Sequence, residues 1–88
     1  MDIAVELSLY PLAEEFAPRI KAFLGRLQSA ERLKILTSSL STQVFGPYEE
    51  VLGTLQREMR ATFGEGGKVV FILKVFGPLA TPGAAPDA

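Results

Sequence analysis

The chemistry-bearing residues of this 88-residue chain are mostly hydroxyls: Thr37, Ser38, Ser39, Ser41 and Thr42 stand almost in succession, followed by Gln43, Val44, Phe45, Gly46 and Pro47. Each hydroxyl can donate and accept a hydrogen bond, and none carries charge. Near the centre of a sheet such a set suits a small polar ligand better than it suits a hydrophobic core. Nucleophilic catalysis is a poorer fit, because a Ser or Thr nucleophile needs a base beside it. The chain has no histidine, and no lysine adjoins the run. With cysteine absent as well, disulfides, thiolate chemistry and the usual transition-metal ligands are excluded.

The elements that must position these groups follow from hydrophobic spacing. Ile3, Val5, Leu7 and Leu9 alternate with Ala4, Glu6, Ser8 and Tyr10, which predicts a strand over residues 2–10 with one buried face. Phe16, Ile20, Phe23, Leu24 and Leu27 recur at helical spacing and predict a helix over 14–29. Pro18 fits its first turn, and Glu14 and Glu15 sit at the positive end of its dipole. Short strands are expected over 33–39 and 41–45, with Pro47 as the first residue of a second helix striped by Val51, Leu52, Leu55, Met59 and Phe63. Gly64, Gly66 and Gly67 stop that helix ahead of a last strand over 69–76.

The order strand, helix, strand, strand, helix, strand predicts an α+β, ferredoxin-like βαββαβ fold, a four-stranded antiparallel sheet with two helices on one face. One domain over 1–77 is expected, followed by a tail over 78–88 that holds three prolines and is expected to be disordered. On the uncovered sheet face, alternation places Glu6, Ser8 and Tyr10 from the first strand and Ser41, Gln43 and Phe45 from the third. Thr42 falls on the opposite side, so a ligand role for it calls for a bulge or a frayed strand start. The last strand adds an apolar row of Val70, Ile72 and Phe76. Such a row rarely stays bare, so a homo-oligomer, dimer or tetramer, is expected through this face.

Nine Lys or Arg balance ten Asp or Glu, which leaves no basic footprint for nucleic acid or anionic membrane. The apolar run from Val69 to Leu73 is too short for membrane insertion, and Asp2 and Glu6 replace the basic segment of a secretory signal, so a cytoplasmic protein is expected. Other uses of the fold lack their residues. Acylphosphatase-type catalysis needs an asparagine, metal-chaperone forms need Cys-x-x-Cys, and an RNA-binding sheet needs central aromatics amid basic residues. The chain has neither asparagine nor cysteine, so a non-enzymatic binding protein is the surviving class.

Ser8-Leu9-Tyr10-Pro11, then Ser41-Thr42 followed by Gly46, then the helix start from Tyr48 to Leu52 resemble the YkoF-like family of thiamine and hydroxymethylpyrimidine-binding proteins over residues 3–77. The chain departs from that pattern at Pro47, where relatives often carry an acidic residue. The resemblance implies the ferredoxin-like fold, association through the sheets, and thiamine or its hydroxymethylpyrimidine moiety as ligand with no other cofactor. Thr37, Ser38, Ser39, Ser41 and Thr42, with Ser8, would then meet the aminopyrimidine. Tyr10, Phe45 and Tyr48 would wall its ring, and Glu6 or Tyr10 would face the thiazolium cation.

Each residue also has a plainer use. The hydroxyls can bond the local backbone, Glu6 can form an intersubunit ion pair with Lys74, Tyr10 and Phe45 can pack an interface, and Tyr48 can anchor the second helix. The expected function is non-catalytic binding of thiamine or hydroxymethylpyrimidine. The alternative is a structural or regulatory oligomeric domain without that ligand; an enzyme using Glu6 on a pyrimidine is a third.

Overall fold

The computed structural model describes residues 1–12, 17–38 and 40–80. Its elements are β1 (Asp2–Pro11), α1 (Ala17–Gln28), β2 (Lys34–Thr37), β3 (Thr42–Pro47), α2 (Tyr48–Gly64) and β4 (Val69–Phe76). All neighbouring strands are antiparallel in the order β2-β3-β1-β4, and both helices pack on one face, giving the ferredoxin-like α+β fold.

Period-2 alternation in β1 fixes which face is buried. Ile3, Val5 and Leu7 join Val44 of β3, Phe23 and Leu27 of α1, and Val51 and Leu55 of α2 in one core. Register aligns Leu36, Gln43, Glu6 and Lys74 in one row across the other face, with Lys34, Phe45, Ala4 and Phe76 in the next. Phe71 of β4 joins the aromatic part of the core, its ring centroid 5.2 Å from Phe23 and 5.5 Å from Phe63. Phe63, expected in the helix stripe, is 53% exposed and meets the core through this edge contact.

The two helices are tied by arginines that the apolar pattern does not mark. Arg26 donates from Nε to Glu58 Oε1 at 2.9 Å and from Nη2 to the hydroxyl of fully buried Thr62 at 2.8 Å. Arg19 donates to the Thr62 carbonyl at 2.6 Å. Buried Thr62 is thereby satisfied, as a polar group inside a core must be.

Several boundaries differ from those expected. β2 is shorter at both ends than expected, and β3 is shifted toward α2. β2 ends at Thr37 because the chain reverses through Ser38 and Ser41, with Ser38 N donating to Ser41 O at 2.9 Å. β3 extends through Pro47, which pairs with Asp2; its ψ of 140° is extended, so α2 begins one residue later, at Tyr48. The expected start of α1, with Glu14, Glu15 and Phe16, lies outside the described residues, while Pro18 does occupy its first described turn. The expected tail begins docked, with Leu79 N donating to Asp2 O at 2.8 Å; residues 81–88 lie outside the described ones.

Gly46, near the end of β3, leaves no room for a side chain. Its φ is +157°, and a Cβ built on it would stand 2.7 Å from Leu33 Cδ2 and 3.5 Å from Val51 Cγ2. Gly46→Ala is expected to lower stability by roughly 1–3 kcal/mol, through strain and overpacking, measured by urea denaturation. An unchanged midpoint would show that Leu33 yields freely.

Candidate functional site

The two central strands do not end together. The β1–β3 register runs without interruption from Asp2↔Pro47 to Leu7↔Thr42, whereas the β1–β4 register continues to Pro11↔Val69. β1 therefore runs on past the start of β3 and leaves a notch in the plane of the sheet. A cavity of about 510 Å³ fills it, bounded by residues 7–12 of β1 and its end, by Ile20, Phe23 and Leu24 of α1, and by Thr37, Ser38, Leu40, Ser41 and Thr42 at the hairpin.

Lying in the plane of the sheet, the cavity is lined by residues of both alternating faces. Thr37 and Thr42 pair across β2 and β3 on the helix side, whereas Ser8 sits on the open side beside Ile72. Thr42 thus turns inward, as alternation requires, and reaches the cavity as the first residue of β3, without a bulge. The hydroxyl run is accordingly a feature of the sheet's end, and the expected position at the sheet centre is corrected. Its location follows from the hairpin reversing at Ser38 and Ser41.

The hydroxyls are not equally available. Ser38 Oγ accepts from Leu40 N at 3.2 Å and Ser41 N at 3.3 Å and donates to Ser41 O at 3.2 Å, the local turn chemistry typical of serine. Thr42, 5% exposed, donates to Thr37 Oγ1 over a long 3.5 Å, which leaves both hydroxyls capacity for another partner. The side chain of Ser41 has no hydrogen bond among the described residues. Ser39 lies outside the described residues. Tyr10, 50% exposed, stands at the rim.

Three expected site residues lie elsewhere. Glu6 and Phe45 border a separate depression of about 330 Å³ on the open face, together with Gln43, Lys74 and Phe76. Glu6 stands opposite Lys74 on the adjacent strand at 3.8 Å, forming an ion pair within the chain. Phe45 is only 1% exposed, and Lys34 Nζ sits 5.9 Å above its ring centroid, so that face is already covered. Tyr48 begins α2 and donates its main-chain N–H to Met1 O, at the end of β1 opposite Tyr10. β1 spans about 30 Å, so one small ligand cannot touch both tyrosines.

The apolar wall was hidden in the helical stripe. Ile20, Phe23 and Leu24 carry a core pattern, and position opposite the notch gives Ile20 and Leu24 a second surface, with buried Phe23 behind them. Among the described lining residues none is charged. The arrangement can bind a flat, neutral, polar molecule, with apolar contacts above it and hydroxyls at one end. Among the described residues no three His, Cys, Asp or Glu side chains converge as metal ligands, and no helix is long and apolar enough to cross a membrane.

No family model matches the chain, and no curated protein matches it in sequence. Solved structures do match in fold. A Thermotoga maritima protein provisionally assigned to thiamine biosynthesis or salvage superposes with a TM-score of 0.79 at 18% identity, covering 89% of this chain and 85% of its own. A Streptococcus pneumoniae protein gives 0.82 at 17% identity, over 91% of this chain and 90% of its own. A domain of unknown function from Bacillus cereus, DUF77, gives 0.77 at 15% identity, over 93% and 81%. At these identities the likeness is one of fold: the chain shares the architecture of these proteins across nearly its whole described length.

Proposed function

We propose that this protein binds thiamine or its hydroxymethylpyrimidine moiety in the notch cavity, without transforming it, as a cytoplasmic homo-oligomer that sequesters or delivers the ligand. The observation that carries this reading is the cavity itself, whose 510 Å³ falls within the range of small-molecule sites and whose lining combines an apolar wall with the hydroxyls of Thr37, Ser41 and Thr42. An aminopyrimidine matches that lining, since its amine donates, its ring nitrogens accept, and its faces are flat and apolar. The resemblance of the sequence to the YkoF-like family and the thiamine-related assignment of the Thermotoga maritima structure point the same way.

The described lining residues carry no charge, which favours the neutral pyrimidine inside the cavity. The thiazolium of thiamine would then lie toward the rim, where the exposed ring of Tyr10 offers an aromatic face for a cation. Glu6, in the other depression, has no part in this site. Self-association is supported by the open face of β4, where Val70, Ile72 and Phe76 are 41%, 50% and 53% exposed. The same row favours the alternative of an assembly domain without ligand.

Calorimetric titration with thiamine and, in parallel, with hydroxymethylpyrimidine separates these readings. Saturable micromolar or tighter binding of either is expected; absence of heat with both would put the assembly reading first. Thr42→Val, which keeps the buried volume, and Ser41→Ala are each expected to weaken binding by about 1 kcal/mol per lost hydrogen bond while the oligomer keeps its mass. Unchanged affinity in both would place the ligand elsewhere.

A further inference from the structure

The notch leaves part of the main chain of a central strand without its neighbour, and the alternation of the ladders identifies which part. At one end of β1, Tyr48 N donates to Met1 O at 2.9 Å; at the other, Leu12 N donates to Lys68 O at 2.9 Å. In an antiparallel strand the backbone groups of successive residues turn to opposite sides. Odd-numbered residues of β1 therefore face β3 and even-numbered ones face β4, and both anchor bonds agree. The last odd residue with a β3 partner is Leu7, opposite Thr42. The next is Leu9, whose N–H and C=O both face the cavity.

The hairpin explains why nothing from β3 reaches Leu9. In the same register the residue opposite it would be Leu40, but Leu40 is 86% exposed in the turn and its own N–H donates to Ser38 Oγ at 3.2 Å. The hairpin is one pair too short. Among the described residues no group pairs with this donor and acceptor of β1, which stand side by side in a cavity whose other described walls are apolar or hydroxylic.

Resting on the ligand reading above, we infer that the main chain of Leu9 is the specificity-determining contact, and that it selects heterocycles with an amidine edge, a ring nitrogen next to a carbon bearing an amino group. That edge offers a donor and an acceptor side by side, as the missing strand residue would. The amine donates to Leu9 C=O, and the ring nitrogen accepts from Leu9 N–H. The ligand completes the β1 edge as a one-residue strand, with Ile20 and Leu24 over its face and Thr42 at its end. A 4-oxo ring presents an acceptor where the C=O needs a donor and leaves a buried group unpaired, the condition under which discrimination is strongest.

The test uses the full chain labelled with ¹⁵N, titrated with hydroxymethylpyrimidine and with its 4-oxo analogue. In the free protein the Leu9 amide is expected to exchange with solvent at least about tenfold faster than those of Val5 and Leu7, which β3 protects. Saturation with the amino compound should shift the Leu9 amide resonance and slow its exchange at least about tenfold, while the oxo analogue binds more than roughly tenfold more weakly. A Leu9 amide already protected in the free protein would overturn the inference. So would saturation that leaves this amide unmoved, or equal affinity for the two compounds; these outcomes leave the binding function standing. Absence of binding by both compounds would overturn the inference together with the reading on which it rests.

Discussion

Phe23→Ala is expected to cost about 3–5 kcal/mol of stability, which is most of what a small domain possesses. Phe23 has no exposed surface, and its ring lies 5.2 Å from that of Phe71 at 57°, with Phe63 in edge contact with Phe71. Truncation removes the transfer free energy of a whole ring and opens a void beneath α1. Because the same ring lies behind the notch wall formed by Ile20 and Leu24, the cavity loses its shape in whatever fraction remains folded. Urea denaturation followed by circular dichroism gives the number. A loss under about 1 kcal/mol would mean that the aromatic cluster does not hold α1 to the sheet.

Ile72→Asp is expected to leave the fold intact and abolish self-association. Ile72 is half exposed in the single chain, so an aspartate there stays solvated and changes folding stability little. In a sheet-to-sheet contact the same carboxylate would be buried without a partner. The resulting penalty of roughly 3 kcal/mol or more raises the dissociation constant more than about a hundredfold. Analytical ultracentrifugation should show the mass of one chain for the variant and a multiple of it for the parent. A parent protein that sediments as a single chain at micromolar concentration, or a variant that keeps the parent mass, would remove the proposed assembly. Glu6 and Lys74 do not oppose such a contact, because they stand opposite each other on neighbouring strands and their pair lies within one chain.

The two substitutions report on opposite faces of the sheet, and the division matters for the site. The notch is bounded by α1 on the helix side and by the side chain of Ser8 on the open side, where Ser8 stands next to Ile72. Assembly through the row of Val70, Ile72 and Phe76 would thus bring a second copy close to the rim formed by Tyr10. Binding and assembly are expected to be measurably linked on that account. Ile72→Asp should leave contacts with Thr42 unchanged while altering only those at the rim.

The sequence by itself determined the fold and the facing of its strands. The period-2 run from Ile3 to Leu9, the helical stripes through Phe23, Leu27, Val51 and Leu55, and the glycines after Phe63 are local signals. Each rests on the pitch of one element and needs no partner to be read. The inward turn of Thr42 was legible for the same reason, and so was the apolar row of β4. Which hydroxyls would be consumed by the backbone was not legible, since Ser38 and Ser41 have the same chemistry and differ only in their place in the turn.

Only the tertiary structure decided where the site lies. The notch arises from a mismatch between two registers, β1 with β3 ending at Leu7 and β1 with β4 continuing to Pro11. Register depends on where the hairpin reverses, and Leu40, at that turn, has no turn preference of its own. Alternation could assign Glu6, Ser8, Tyr10 and Phe45 to one face, yet it could not show that Tyr10 and Tyr48 stand at opposite ends of the sheet or that Lys34 covers Phe45. Side-chain periodicity carries the facing of each residue; the offset between strands, and the pocket that this offset opens, exist only once three strands have paired.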